Sequence, residues 1–297
     1  MERHNPRQLG DAELLITQKG NIYHLDIAPQ HLADTVITVG DPGRVPVVSK
    51  YFDRITHRSS HREFVCHTGF VGKKQVLVVS TGIGPDNMDI VMNELDALAN
   101  VDFTTRTIQP QKRTLSIIRL GTCGSLQADV PSGSMITSAY GIGLDNLLHY
   151  YRYDINADER FIMDSFMQHT RLSGSSIIPY IAEGSIALRK HFAAGYVHGI
   201  TVTCPGFYGP QGRTIRGQMV YPYLMDALAT FNTRDLRITN FEMETAALYG
   251  LGKVLGHNCC SISTAVNNRI SNTMSRNIDA DIEDMIKHTL AIIEQIP

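Results

Sequence analysis

The chain has 297 residues and carries 27 Lys and Arg against 29 Asp and Glu, a formal charge of −2. A balance this even excludes nucleic acid as the main partner, because binding a phosphate backbone needs a surplus of cations. It leaves room for a small anion held by a few well-placed arginines, and 43% apolar residues are enough for a substantial core.

In chain order, residues 1–34 read as an irregular arm carrying Tyr23 and His24. Residues 36–39 read as a strand, closed by the turn Gly40-Asp41-Pro42-Gly43. A second β-branched run, 76–80, ends in Thr81-Gly82-Ile83-Gly84. Pro85 then opens a helix whose Ile90, Val91, Glu94, Leu95 and Leu98 recur with the helical period. A third strand, 115–120, is expected to close in a glycine turn, Gly121-Thr122-Cys123-Gly124. Residues 133–139, 200–204 and 258–266 read as further strands, 241–255 as a helix, and 279–296 as an amphipathic helix. Strands alternating with helices predict an α/β fold with a largely parallel or mixed sheet, and the absence of a linker or compositional break favours one domain. Ligands of such sheets sit at the strand ends, where the glycine turns lie.

No run approaches the roughly 18 apolar residues of a membrane span, and the first thirty residues lack the apolar segment of a secretory signal. Five cysteines without a CxxC pair (Cys66, Cys123, Cys204, Cys259 and Cys260) read as reduced, mostly buried thiols of a cytoplasmic chain. Metal chemistry has little support. Twelve histidines are scattered without HExxH or zinc spacing, and the densest group, His57, His61 and His67, reads as solvated or hydrogen-bonded.

The glycine turns come with cations and hydroxyls: Gly40 with Arg44, Gly82 with Thr81, Gly121 and Gly124 with Arg119 and Thr122. Backbone N–H groups at a turn plus guanidinium forks make a phosphate cradle. Neither GxGxxG nor GxxxxGK[ST] occurs, so the anion is free phosphate or a small ester rather than a dinucleotide or ATP. In Phe207-Tyr208-Gly209-Pro210-Gln211-Gly212-Arg213, an aromatic ring, an amide and a guanidinium share one loop. Those groups suit stacking on a planar heterocycle and pairing along the O2/N3–H/O4 edge of uracil. Phe241-Glu242-Met243-Glu244 puts two carboxylates beside a thioether, and one carboxylate can accept from the two cis hydroxyls of a ribose.

These segments, with Ser60-His61-Arg62-Glu63-Phe64 and Ser80-Thr81-Gly82-Ile83-Gly84, stand in the order found in the nucleoside phosphorylase family, over roughly residues 23–270. The chain resembles that family, and its FYxxQxR loop most resembles the uridine phosphorylases. The resemblance implies one α/β phosphorylase domain (23–297) with a central mixed sheet flanked by helices, preceded by an arm (1–22) longer than in many bacterial relatives. It implies reversible phosphorolysis of uridine to uracil and ribose 1-phosphate in pyrimidine salvage, a pentosyltransferase reaction with inorganic phosphate as co-substrate and no cofactor. It places Gly40, Arg44, Arg119 and Thr122 on phosphate, with Arg62 supplied by a neighbouring subunit. Met243 and Glu244 would hold the ribose, with His24 of the neighbour on the 5′-hydroxyl. Gly124, Phe207, Gln211 and Arg213 would hold the base. Arg44, Arg62, Arg119, Arg213 and Glu244 form the catalytic set. A homodimer is then the least functional unit, and related bacterial enzymes are usually hexamers.

Three departures qualify the resemblance. The usual Val-Asn-Arg reads Val266-Asn267-Asn268-Arg269, so the arginine comes one place late. Cys123 replaces a small or hydroxyl residue, and reads as a packing thiol. Glu63, Ile83 and Asn87 match a potassium site of some relatives, with Asn87 where Ser is usual. Purine-cleaving relatives carry an Asp where this chain has Asn267 and Asn268, which favours a pyrimidine. The competing readings are a purine nucleoside phosphorylase or nucleosidase of the same fold, and a non-catalytic nucleoside-binding protein.

Overall fold

The computed structural model describes residues 7–296, so residues 1–6 of the expected arm lie outside the described residues. Short β-branched runs form the sheet: β1 (Thr35–Val39), β2 (Arg54–His61), β3 (Phe64–Val71), β4 (Lys74–Ser80), β5 (Ser116–Ser125), β6 (Met135–Gly143), β7 (Tyr180–Glu183), β8 (Val197–Thr203), β9 (Leu236–Glu242) and β10 (Asn258–Asn268). The longer helices are α1 (Arg44–Ser49), α2 (Pro85–Asn100), α3 (Ala157–Thr170), α4 (Leu224–Thr230), α5 (Thr245–Leu255) and α6 (Ile278–Gln295).

The main path of the sheet runs β9-β8-β6-β10-β5-β1-β4-β3-β2, mixing parallel and antiparallel pairs. β1 lies parallel to both β4 and β5, whereas β2, β3 and β4 form an antiparallel meander at one edge. At the other end β9 turns back onto β5, antiparallel, with Asn240 opposite Ser125 and Phe241 opposite Gly124. Strands β5, β10, β6, β8 and β9 therefore form a closed circuit. Closure removes the free edge that β9 would otherwise present.

Helices cover both faces of the sheet. Met88, Val91 and Leu95 of α2 and Leu248 and Leu251 of α5 pack on Leu77, Val79 and Ile117. On the other face Val45 and Val48 of α1 and Met285, Ile286 and Leu290 of α6 cover Ile37, Val39 and Ile118. A third cluster joins Ile162 and Phe166 of α3 and Leu228 of α4 to Ile200, Val202 and Phe241 of the circuit. Each cluster is a helix stripe of period 3.6 meeting alternate strand positions, as the α/β reading requires. Among the described residues no helix is long and apolar enough to cross a membrane.

Two expectations need correction. The third glycine segment is not a turn: β5 continues through Gly121-Thr122-Cys123-Gly124 to Ser125, paired with β10 throughout. The helix expected over 241–255 begins only at Thr245, because Phe241 and Glu242 end β9. The pattern there gives little apolar signal, since the interior of the circuit is polar. Thr201 donates to Asn240 at 2.9 Å, Ser138 meets the Thr201 hydroxyl at 2.6 Å, and all three residues are fully buried.

Candidate active site

A cavity of about 610 Å³ opens where β9 closes on β5. Gly40, Arg44, Arg119, Thr122, Gly124, Phe207, Gln211, Arg213, Met243 and Glu244 all border it. Strand ends and turns far apart in the chain thus converge on one chamber.

At one end stands Arg119, on β5 and almost fully buried. A Cβ on Gly121 would overlap its guanidinium, so the absent side chain is what lets Arg119 fold back along its own strand. Its Nη2 forms ion pairs with Glu242 at 2.9 Å and with Glu244, and its Nη1 donates to the Ser263 hydroxyl at 3.3 Å. Burial works against the Arg119 charge, and the two carboxylates outweigh it, so its pKa stays raised. Arg44, in the first turn of α1, donates to the Leu120 carbonyl at 3.4 Å. Burial, and then the like charge of Arg119, draw its pKa down. Arg44 and Arg119 thus bring two guanidinium forks to one cavity wall, the Arg119 charge already matched by Glu242 and Glu244, where a phosphate could take up their remaining donors.

The two carboxylates have different tasks. Glu242, at the end of β9, accepts the Thr203 hydroxyl at 2.7 Å and the backbone N–H groups of Glu244 and Thr245 at 2.9 and 3.0 Å. It thereby ties the start of α5 to the closed circuit and satisfies helix donors that lack partners within the helix. Glu244 accepts from the Gly84 N–H at 2.7 Å. Gly84 has φ of 102°, a conformation side chains rarely adopt, so the turn before α2 needs glycine to aim that donor. Burial pushes the Glu244 carboxyl above the usual range, with Arg119 pulling the other way.

At the other end lies the loop from Phe207 to Arg213. Arg213 stacks over the Phe207 ring at 3.9 Å and donates from Nη1 to Gln211 Oε1 at 2.5 Å and to the Phe207 carbonyl at 2.8 Å. Arg269 donates to the Gln211 carbonyl at 3.0 Å, so the displaced arginine does support this loop. The extra residue is absorbed at Val266, where a β-bulge breaks register: Ala265 pairs with Cys123 and Asn267 with Gly124. Val266 and Asn267 both face the cavity in consequence. Asn268 is occupied structurally, donating to the Gln127 and Val130 carbonyls and accepting from the N–H groups of Ile270 and Ser271. Burial, then the Arg269 charge, lower the Arg213 pKa, a second pair of like charges beside the cavity. A Cβ on Gly124 would come within 2.8 Å of Asn267 Oδ1 and 3.0 Å of the Phe241 ring, so glycine keeps this wall thin.

His24 and Arg62 do not border this cavity. They lie together elsewhere, joined by Tyr23, whose ring meets His24 edge-on at 4.9 Å and sits under the Arg62 guanidinium at 5.8 Å. Arg62 is in the two-residue turn between β2 and β3, at φ 54°. Glu63, Ile83 and Asn87 line the same cavity as Arg44, and the Glu63 and Asn87 side chains crowd around Gly82. The clustered histidines are engaged otherwise. His61 donates to the Tyr23 carbonyl at 3.1 Å, His67 meets the Ser49 hydroxyl at 2.8 Å, and His57 stacks on His31 at 3.6 Å. Among the described residues no three His, Cys, Asp or Glu side chains are placed to hold a metal ion. Burial pushes the Cys123 thiol up to about 12, as a packing residue requires. Sequence reasoning gave Glu242, Phe241 and Ser263 no separate place in the site. Their only signal was the Phe-Glu-x-Glu spacing for the first two, and none for Ser263.

The sequence pattern of the Phosphorylase superfamily matches residues 34–296. A uridine phosphorylase of Thermococcus kodakarensis is 28% identical over 266 residues, covering 89% of this chain and 84% of its own. A DeoD-type purine nucleoside phosphorylase of Bacillus thuringiensis is 25% identical over 242 residues, 81% of this chain and 84% of its own. Among solved structures, a Trypanosoma brucei nucleoside phosphorylase described as showing uridine phosphorylase activity superimposes with a TM-score of 0.85. It is 30% identical, over 95% of this chain and 99% of its own. The matched pattern spans the strand ends that build the cavity, and the fold and site are those described above: the chain belongs to the phosphorylase superfamily.

Proposed function

We propose that this chain is a uridine phosphorylase, converting uridine and phosphate reversibly to uracil and ribose 1-phosphate. The observation that carries the reading is that one cavity gathers Arg44, Arg119 and Thr122, Met243 and Glu244, and Phe207, Gln211 and Arg213, a set that suits phosphate, ribose and uracil in turn. Arg213 meets an anion that forms only as the reaction proceeds, the departing uracil with its charge on O2 and O4, while Arg269 braces the loop from the Gln211 carbonyl.

In this reading Gly40, Arg44, Arg119 and Thr122 position phosphate, which needs no activating base. A phosphate oxygen bonds to C1′ as the C1′–N1 bond breaks through an oxocarbenium-like state, and the bonding pair leaves with the base. The phosphate charge stabilises the ribosyl cation, and Gln211 and Arg213 hydrogen-bond the leaving uracil, which takes its proton from water. Glu244 accepts from the 2′- and 3′-hydroxyls beside Met243, while Phe207 stacks on the ring beside Gly124. The purine reading stands second, because Asn267, whose Oδ1 lies buried without a partner at the base end, can accept a hydrogen bond there but cannot protonate a purine N7.

Arg62 and His24 serve the neighbouring subunit's site in this proposal. What supports that is their location outside their own chain's cavity, side by side on one patch. A homodimer is the smallest active unit and a hexamer, built as a trimer of dimers, the expected assembly. Potassium, if held, would sit on Glu63, Asn87 and the Ile83 carbonyl between two chains, and no reaction step passes through it. The division into an arm (1–22) and a phosphorylase domain (23–297) belongs to the same reading. So does a cytoplasmic location, supported by five free, buried cysteines.

The test is an assay of base release from uridine, thymidine and inosine, with and without phosphate. Uracil release that requires phosphate and exceeds hypoxanthine release is the expected result. Equal release without phosphate would make the chain a hydrolase, and faster inosine cleavage would favour the purine reading. Binding of uridine without turnover would leave only a nucleoside-binding protein. In the same assay Arg213→Ala should lower kcat/KM for uridine by about 10² to 10³, the cost of losing a donor to developing charge.

A further inference from the structure

α2 touches both ends of the ribose problem. Its first turn follows Gly84, whose N–H holds Glu244 in the chain's own cavity. Further along the same helix, Glu94 is 9% exposed and turns its carboxylate to the loop that presents Tyr23, His24 and Leu25. Oε1 and Oε2 accept from the His24 N–H at 3.0 and 3.1 Å, Oε2 from the Leu25 N–H at 2.9 Å, and Oε1 meets His24 Nδ1 at 2.7 Å.

A carboxylate in this role only accepts, so the proton of the His24 ring lies on Nδ1. Nε2 then remains for a ligand, and it has no hydrogen-bond partner among the described residues. The rest of the loop holds the backbone still. Asn21 donates to the Asp26 carbonyl at 3.1 Å and its carboxylate at 2.9 Å, Leu25 is fully buried, and His61 holds the Tyr23 carbonyl. The ring of His24 is therefore gripped on one edge and free on the other. A helix carboxylate that spends its acceptors on one imidazole and its backbone is well suited to orienting that imidazole.

We propose that Glu94 is a positioning residue for ribose recognition: it fixes the tautomer and direction of His24, so that Nε2 meets the 5′-hydroxyl of a nucleoside in the neighbouring subunit. This rests on the uridine phosphorylase reading and on the placement of His24 within it. Glu94 touches no substrate, and its effect is confined to substrates that carry the 5′-hydroxyl.

The experiment compares phosphorolysis of uridine and 5′-deoxyuridine by the wild-type enzyme, Glu94→Gln, Glu94→Asp, His24→Ala and the Glu94→Gln/His24→Ala double variant. Wild type should prefer uridine. Glu94→Gln and Glu94→Asp should each lower that preference by about tenfold, the scale of one well-made hydrogen bond, through a higher KM for uridine. Turnover of 5′-deoxyuridine should stay near wild type, which separates the proposed role from a folding defect. In the His24→Ala background Glu94→Gln should change the ratio no further. Equal losses on both substrates, or an unchanged ratio in both Glu94 variants, would overturn the proposal. An unchanged ratio in His24→Ala would overturn it too, while leaving the phosphorylase reading intact. Absence of phosphate-dependent uracil release in wild type would instead mark the failure of that reading.

Discussion

Arg119 owes its position to a residue that is missing its side chain. With Gly121 bare, the guanidinium lies back along β5 and reaches Glu242, Glu244 and Ser263 together. The same crowding makes Glu244 a group whose proton affinity changes on folding. Its folded pKa is raised above the ordinary 4.5, so its contribution to stability is fully present below about pH 4.5 and is lost as pH rises through the folded value. Melting temperatures of wild type and Glu244→Gln, followed from pH 4 upward without substrate, should show the wild-type curve losing ground to the variant over that window. A parallel pair of curves would contradict it. The thiols give a second check at this scale. All five are buried, and burial drives Cys66, Cys123 and Cys260 up to about 12 and Cys204 and Cys259 upward as well. A thiol-disulfide reagent at pH 8 should therefore find no rapidly reacting group in the native chain, and all five in denaturant.

At the scale of elements, β5 does what an ordinary strand does not, running through two glycines without turning. Gly121→Ala should leave the sheet paired and displace Arg119, so phosphorolysis is lost by a factor of 10² or more while circular dichroism is retained. Gly141→Ala is its counterpart for stability. A Cβ there would sit 2.7 Å from Ala246 Cα, forcing β6 away from α5, and the expected loss is about 1–3 kcal/mol in chemical denaturation. These glycines also mark what the sequence could and could not disclose. Where a strand carries an unbroken buried run dominated by Val, Ile and Leu, as at residues 36–39 or 76–79, the run itself is the signal and the elements are legible. β2 alternates exposed with half-buried positions at a sheet edge, and β9 buries Thr239, Asn240 and Glu242 inside the circuit. Neither offers the apolar period that a reader can follow. The site residues were legible as motifs because each is local. The ladder that brings Phe241 opposite Gly124 is not, since it joins segments more than a hundred residues apart.

For the molecule as a whole, the proposed sharing of sites has a consequence that can be counted. Arg62→Ala and Arg119→Ala chains should each be nearly inactive alone. Mixed in equal amounts and allowed to exchange, they should regain about a quarter of wild-type activity, since half the dimers are mixed and each mixed dimer keeps one intact site. No recovery on confirmed exchange would place Arg62 outside the active site. The closed strand circuit bears on a different question, how such a molecule can change its substrate. Arg119 and Thr122 sit on β5, Glu242 ends β9 and Val266 and Asn267 lie on β10, all within that circuit. Any shift of one strand is resisted by its neighbours on both sides, all the way around. The segment from Phe207 to Arg213 lies outside these ladders, in the connection that follows β8. The scaffold thus builds one wall of the chamber into a ring of strands braced on both sides, and hangs the aromatic and amide that face the base on a connection that no ladder constrains.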